Sequence, residues 1–155
     1  IIVLFGGGLA LAHGFTTTGL AEWIAQGMLV MDGYHLAALL LAVTGITIFL
    51  TEVTSNTATA TMLMPILASM ALAMAIHPYG LMVAAALAAS FAFMLPVATP
   101  PNAVVFGSSF LTIPQMARAG FWLNLLGLIL IVLFVWLLLP LVWDIDLQQL
   151  PLWLE

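Results

Sequence analysis

Cysteine and lysine are both absent from the 155 residues, and Arg118 is the single basic side chain. Without cysteine there is no disulfide framework and no thiolate metal site. One arginine cannot form the basic face that nucleic acid requires, so a nucleic-acid partner is excluded. Charge of either sign is scarce: charged residues make up 5% of the chain, against about 25% in soluble domains. The six acids give a formal net charge of -5, but they are scattered and call for no basic partner. The first residue is Ile1, and no charged region followed by a cleavage site opens the chain. A secretory leader is therefore not expected, and the sequence reads as an excerpt of a longer protein.

What remains is apolar. Hydrophobic residues make up 65% of the chain and the mean hydropathy is +1.29. That is the composition of an integral membrane protein. The run 119–143, interrupted only by Asn124 and Pro140, reads as one full span. Residues 1–27 form another expected span, and 33–50 enter the membrane as a further helix. Residues 62–76 are short for a span. They follow a polar stretch, so they read as the second arm of a re-entrant hairpin whose first arm is the end of 33–50. The turn from His77 to Gly80 closes it. Residues 81–109 read as a discontinuous span that runs to about Ala98 and resumes near Asn102. No tandem repeat and no second domain is visible. The fold class expected is an all-α polytopic bundle with one re-entrant hairpin and one broken helix.

Polar residues inside such sequence are costly unless they face protein, water or a ligand. The tract 51–61 holds five threonines with Glu52, Ser55 and Asn56, between two apolar runs. A second interruption, Ala98 to Ala103, contains Thr99, Pro100, Pro101 and Asn102. Two such breaks are the mark of discontinuous helices around a small-solute site. Ser55, Asn56 and Thr57 are good helix N-caps. Thr99 can cap as well, and proline is tolerated in a first helical turn. Helix N-termini carry unpaired N–H groups and partial positive charge, so two of them can hold an anion without a cationic side chain. Chain entering each break leaves unpaired carbonyls near the oxygens of Thr51, Thr54 and Asn56, and oxygen-only ligation suits sodium.

Other features read as structural. A single membrane threonine usually bonds back to its own helix, and small residues usually mean close packing. Residues Gly6 to Gly8 lack the strand, lysine and spacing of a phosphate loop. His77 reads as a helix terminus, the methionines as core filler, and Asp144 with Asp146 as a solvated end. Glu52 reads two ways: as an intramembrane functional carboxylate, or as a hydrated group at the hairpin mouth. Arg118 before the last span and two acids after it place Arg118 in the cytoplasm and the far end outside. Trp122 and Trp143 suit interfacial belts.

Ser55, Asn56 and Thr57 after Thr51 and Glu52, the stretch Phe93 to Ala103, and Phe106-Gly107-Ser108 together resemble the divalent anion/sodium symporter family. The opening Leu4 to Leu11 and Thr18 to Trp23 resemble the start of that family's C-terminal repeat. The resemblance covers essentially the whole chain. It implies a secondary transporter of dicarboxylate, citrate or sulfate, coupled to sodium and working as an elevator-type homodimer. The chain would be one inverted repeat, partnered by an N-terminal half that carries the second Ser-Asn-Thr motif and another sodium site. By resemblance, Ser55, Asn56, Thr57, Thr99 and Pro100 contact substrate. Thr51, Thr54, Asn56 and Ala98 fall where the family holds sodium, partly through backbone carbonyls. The resemblance implies no cofactor beyond that coupling ion. Localisation would be multi-pass, in a plasma or bacterial inner membrane. Sodium-free exchange within the family stays an alternative. So do an intramembrane enzyme using Glu52 with a serine or histidine, and a structural or assembly fragment.

Overall fold

The structure is a computed structural model, and it describes residues 2–20, 23 and 36–151. Among these, every regular element is helical. In chain order they are α1 (Ile2–Thr17), α2 (Leu36–Thr51), α3 (Asn56–Ala73), α4 (Pro78–Ala88), α5 (Pro100–Gly107) and α6 (Ile113–Trp143). The expected span over 1–27 is described as α1 and the turn after it; residues 21, 22 and 24–27 lie outside the described residues, as does the start of the 33–50 segment.

The helix ends follow local chemistry. The polar tract breaks the chain over a shorter stretch than its composition suggests. Only residues 52–55 are non-helical, and Thr57, Thr59 and Thr61 lie inside α3. α3 ends in a Schellman turn: Ile76 N–H bonds the Ala71 carbonyl and Ala75 N–H bonds that of Leu72, both at 3.0 Å. Ala75 occupies the left-handed position there, with φ 55°. His77 then caps α4, its Nδ1 accepting from Tyr79 N–H at 3.2 Å, and Pro78 opens the helix.

α4 stops at Ala88, well before Ala98, although residues 91–95 are almost wholly apolar. α6 is continuous over 31 residues, about 46 Å, and begins at Ile113 rather than near residue 119. Trp122 is consequently well inside the helix instead of at its end. Within α6, residues 134–138 widen to a π-turn just before Pro140. Proline there has no N–H and would crowd the carbonyl four residues back, and the wider turn relieves both.

α4 sits at the centre. It packs against α2, α3 and α6, and α2 also packs on α6 while α1 covers α3. Ala84, Ala85 and Ala88 are completely buried, and such small side chains let the helix backbones approach closely. Leu40, Ile48, Leu81 and Val135 fill the core around them. Leu126, Leu130, Leu137 and Val142 on α6 stay exposed, an apolar face suited to lipid. α2 starts near α6's C-terminal end, and its own C-terminus reaches the breaks. The chain thus places the 52–55 break, the 89–99 break and the N-terminus of α5 at one end of α2.

Candidate functional site

The two breaks face each other across a cavity of about 410 Å³. Its walls are residues 52–57 from one break and Val97, Ala98, Thr99 and Pro100 from the other. Ser55, Asn56, Thr57, Thr54, Ala98, Thr99 and Pro100 are thus brought to one space. Thr51 lies just behind the wall, fully buried, at the last residue of α2.

The N-terminus of α3 points into this cavity. Ser55 takes the N-cap position, but its hydroxyl makes no capping bond. The first intrahelical bond is from Thr59 N–H to the Ser55 carbonyl, 2.8 Å. The N–H groups of Asn56, Thr57 and Ala58 precede it and have no partner within the helix. The N-terminus of α5 is chemically different. Pro100 and Pro101 have no N–H, and Asn102 N–H is taken by Thr99 Oγ1 at 3.4 Å. What α5 offers is its dipole and the Thr99 hydroxyl proton. The two tips look alike in sequence, but only α3 presents free backbone donors.

The oxygens cluster on the other side. Thr51 Oγ1 is 2.7 Å from Asn56 Oδ1 and 2.9 Å from the Ala89 carbonyl oxygen. A hydroxyl has one proton, so it serves only one of these acceptors at a time. Thr54 differs: its hydroxyl donates to the Leu50 carbonyl at 2.8 Å and pairs with Thr59 Oγ1. Its proton is thus spent on Leu50, and Thr54 has a remaining hydroxyl lone pair and its carbonyl to offer a cation. Ala98 has a carbonyl alone to give.

Glu52 is buried, which contradicts its reading as a hydrated group. It is 4% exposed, and both carboxylate oxygens are held by N–H donors. Oε1 accepts from Phe93 N–H, Met94 N–H and Asn124 Nδ2 at 2.7–2.9 Å; Oε2 accepts from Met94 and Leu95 N–H at 3.1 and 3.2 Å. Its printed partners among the described residues are amide donors, with no serine or histidine among them. Asn102 secures the same break from the other side, donating to the Ala92 and Leu95 carbonyls at 2.8 and 3.0 Å. Asn124 had been visible only as a polar interruption of the last apolar run. A lone buried amide in such a run was the available signal of a partner.

A second cleft, about 510 Å³, lies at the other end of α2, between Leu36 and residues 136–148. Asp144 and Asp146 line it, so its charge disfavours an anion. Among the described residues no group of three acids or histidines could hold a metal ion.

The family model of the sodium:sulfate symporter transmembrane region matches residues 1–143. The chain belongs to this sodium:sulfate symporter family. It is accordingly a membrane protein, of a family described by transport rather than by catalysis. Among its curated relatives, the sodium-dependent dicarboxylate transporter SdcS of Staphylococcus saprophyticus is 52% identical over 153 residues. Its counterparts from Staphylococcus aureus strains MRSA252 and USA300 are each 50% identical. These alignments cover 98% of the present chain but only 29–30% of the relatives' lengths. The symporter family membership fits a site with two helix N-termini and no side-chain cation on its walls.

Proposed function

We propose that this chain is the C-terminal repeat of a secondary active transporter that moves a small dicarboxylate in symport with sodium. The observation that carries the reading is the single cavity between the breaks. It combines the unpaired N–H groups of α3 and the hydroxyls of Ser55, Thr57 and Thr99, with the Thr51–Asn56 oxygen pair just behind its wall. A dianion in it meets two helix dipoles but no lysine or arginine, and the one carboxylate on the wall, Glu52, is turned onto N–H donors, so a bound cation must complete the neutralisation. The oxygens of Thr51 and Asn56, with the carbonyls of Thr54 and Ala98, form the sodium half of the site. The relatives' names support dicarboxylate over sulfate as the cargo.

The rest of the site belongs to an N-terminal half that this chain does not contain. The intact protein is then a multi-pass homodimer in a plasma or bacterial inner membrane, working by elevator motion. Residues 36–76 form its re-entrant hairpin. Glu52, at the tip, bonds Asn124, eleven residues into α6 and about 17 Å from that helix's start, which supports a tip at membrane depth. The test is succinate binding by the full-length transporter in sodium and in choline. Affinity should rise steeply with sodium. Equal affinity in choline would contradict symport and favour sodium-free exchange.

A further inference from the structure

The buried Glu52 cluster has no assigned role in substrate or sodium contact. Its carboxylate is consumed by N–H donors, so little of it is left for a ligand in the cavity. Those donors come from two separate pieces of chain, the break at 93–95 and Asn124 of α6, which converge on a glutamate from a third. The three consecutive amides of Phe93, Met94 and Leu95 would otherwise be unsatisfied at membrane depth, where each unpaired group is costly. Every contact to Glu52 is a donor, which is the complement of a carboxylate and not of an amide or an acid.

We infer that Glu52 is a positioning residue that clamps the 89–99 break onto the hairpin tip and so fixes the spacing of the sodium oxygens. Thr51 precedes Glu52 directly, and Ala98 follows the clamped amides by three residues. The proposed sodium site takes oxygens from both sides of this joint. Its geometry is therefore only as rigid as the clamp. The inference rests on the sodium-coupled reading and adds to it a wall residue whose carboxylate is spent on N–H donors rather than on ion or substrate.

Glu52→Gln keeps the shape but turns one oxygen into a donor aimed at other donors. Asn124→Leu removes one clamp bond without touching the cavity wall. It also removes Asn124 Oδ1, a buried acceptor that has no partner among the described residues, so folding should tolerate it. The measurement is succinate uptake by the full-length transporter against sodium concentration, normalised to folded protein. The clamp predicts a half-saturating sodium concentration raised at least about tenfold in Glu52→Gln and about threefold in Asn124→Leu. In Asn124→Leu, whose residue lies off the cavity wall, the maximal rate at saturating sodium should stay within about twofold, and the half-saturating sodium of Glu52→Asp should fall between wild type and Glu52→Gln. Hydrogen exchange at residues 92–99 should accelerate in both principal variants, a readout that does not depend on transport. A merely structural role would lower the amount of folded protein and leave sodium half-saturation and exchange unchanged; that result overturns the clamp. If Glu52→Gln does not fold, Asn124→Leu decides between the same outcomes. Wild-type protein without sodium-dependent uptake would refute the symport reading, while the exchange result would still decide the clamp.

Discussion

Gly120→Ala is a one-carbon perturbation with a large expected effect. Gly120 lies on the buried face of α6, where that helix crosses the 89–99 break. A Cβ at this position would stand 2.5 Å from the Phe93 carbonyl carbon and 2.6 Å from Met94 Cα, and nearer still to the Phe93 carbonyl oxygen. Carbon atoms in contact prefer about 3.5–4.0 Å, so α6 and the break must separate by roughly 1 Å. The obstacle is backbone, and that backbone is held: Glu52 binds the amides of 93–95 and Asn102 binds the carbonyls of 92 and 95. Overpacking of this kind costs about 1–3 kcal/mol. The same displacement carries Ala98 and Thr99 away from the 52–55 break. Sodium affinity should then fall at least about tenfold, equivalent to about 1.4 kcal/mol. Gly127→Ala is the matched control. Its Cβ would meet the Phe91 ring, with Cε1 at 2.6 Å, and a side chain can turn aside where backbone cannot. Thermal unfolding in detergent and sodium titration of succinate binding, both on the full-length transporter, measure the two effects. Wild-type stability and sodium affinity in Gly120→Ala would refute the close crossing of α6 and the break.

Three further outcomes follow from particular residues. Thr99→Val keeps the shape of the α5 cap but deletes its hydroxyl. Succinate affinity should drop by roughly tenfold or more, while sodium binding through the untouched Ala98 carbonyl is retained; isothermal titration separates the two. Ala75 holds a left-handed conformation that costs a side-chain-bearing residue about 1–2 kcal/mol, so Ala75→Gly should raise the unfolding temperature by a few degrees. Burial holds the His77 pKa below its ordinary value, and its Nδ1 must stay unprotonated to accept from Tyr79 N–H. The folded state therefore binds fewer protons than the unfolded one. The contribution is fully present above about pH 6.5 and is lost as pH falls through that value toward the lower folded pKa. Unfolding temperature measured across this range should decline in wild type and flatten in His77→Asn, which keeps a capping acceptor.

The elements that the sequence displays best are those governed by local chemistry. α6 is legible because its apolar run is long, and the α5 start because Thr99, Pro100 and Pro101 are cap and first-turn residues. The length of α4 is not legible, since Phe91, Ala92, Phe93, Met94 and Leu95 continue its hydropathy without a breaker. They leave the helix because their backbone groups find distant partners: Glu52, 41 to 43 positions away, and Asn102, up to ten positions away. Glu52 was undecidable for the same reason, as its environment is made by the break and by Asn124, 72 positions on. The tract 51–61 read as one polar tip, yet a helix accepts threonine, and three of its five threonines are inside α3. Cap-forming residue types also hid the difference between the two tips. The Ser55 hydroxyl makes no bond to the helix it caps, whereas that of Thr99 bonds Asn102, a distinction of rotamer and backbone angle that composition does not carry.

The central claim is that the cavity between the breaks takes a dicarboxylate together with sodium. Val97 is 83% exposed on its wall and is the natural reporter. With Val97→Cys in a cysteine-free full-length transporter, the rate of thiol labelling is measured with and without succinate, in sodium and in choline. Gln148→Cys in the acid-lined cleft serves as the control. Succinate should slow labelling of Val97→Cys in sodium alone and leave Gln148→Cys unaffected. Labelling of Val97→Cys that is unchanged by succinate in sodium would contradict the account.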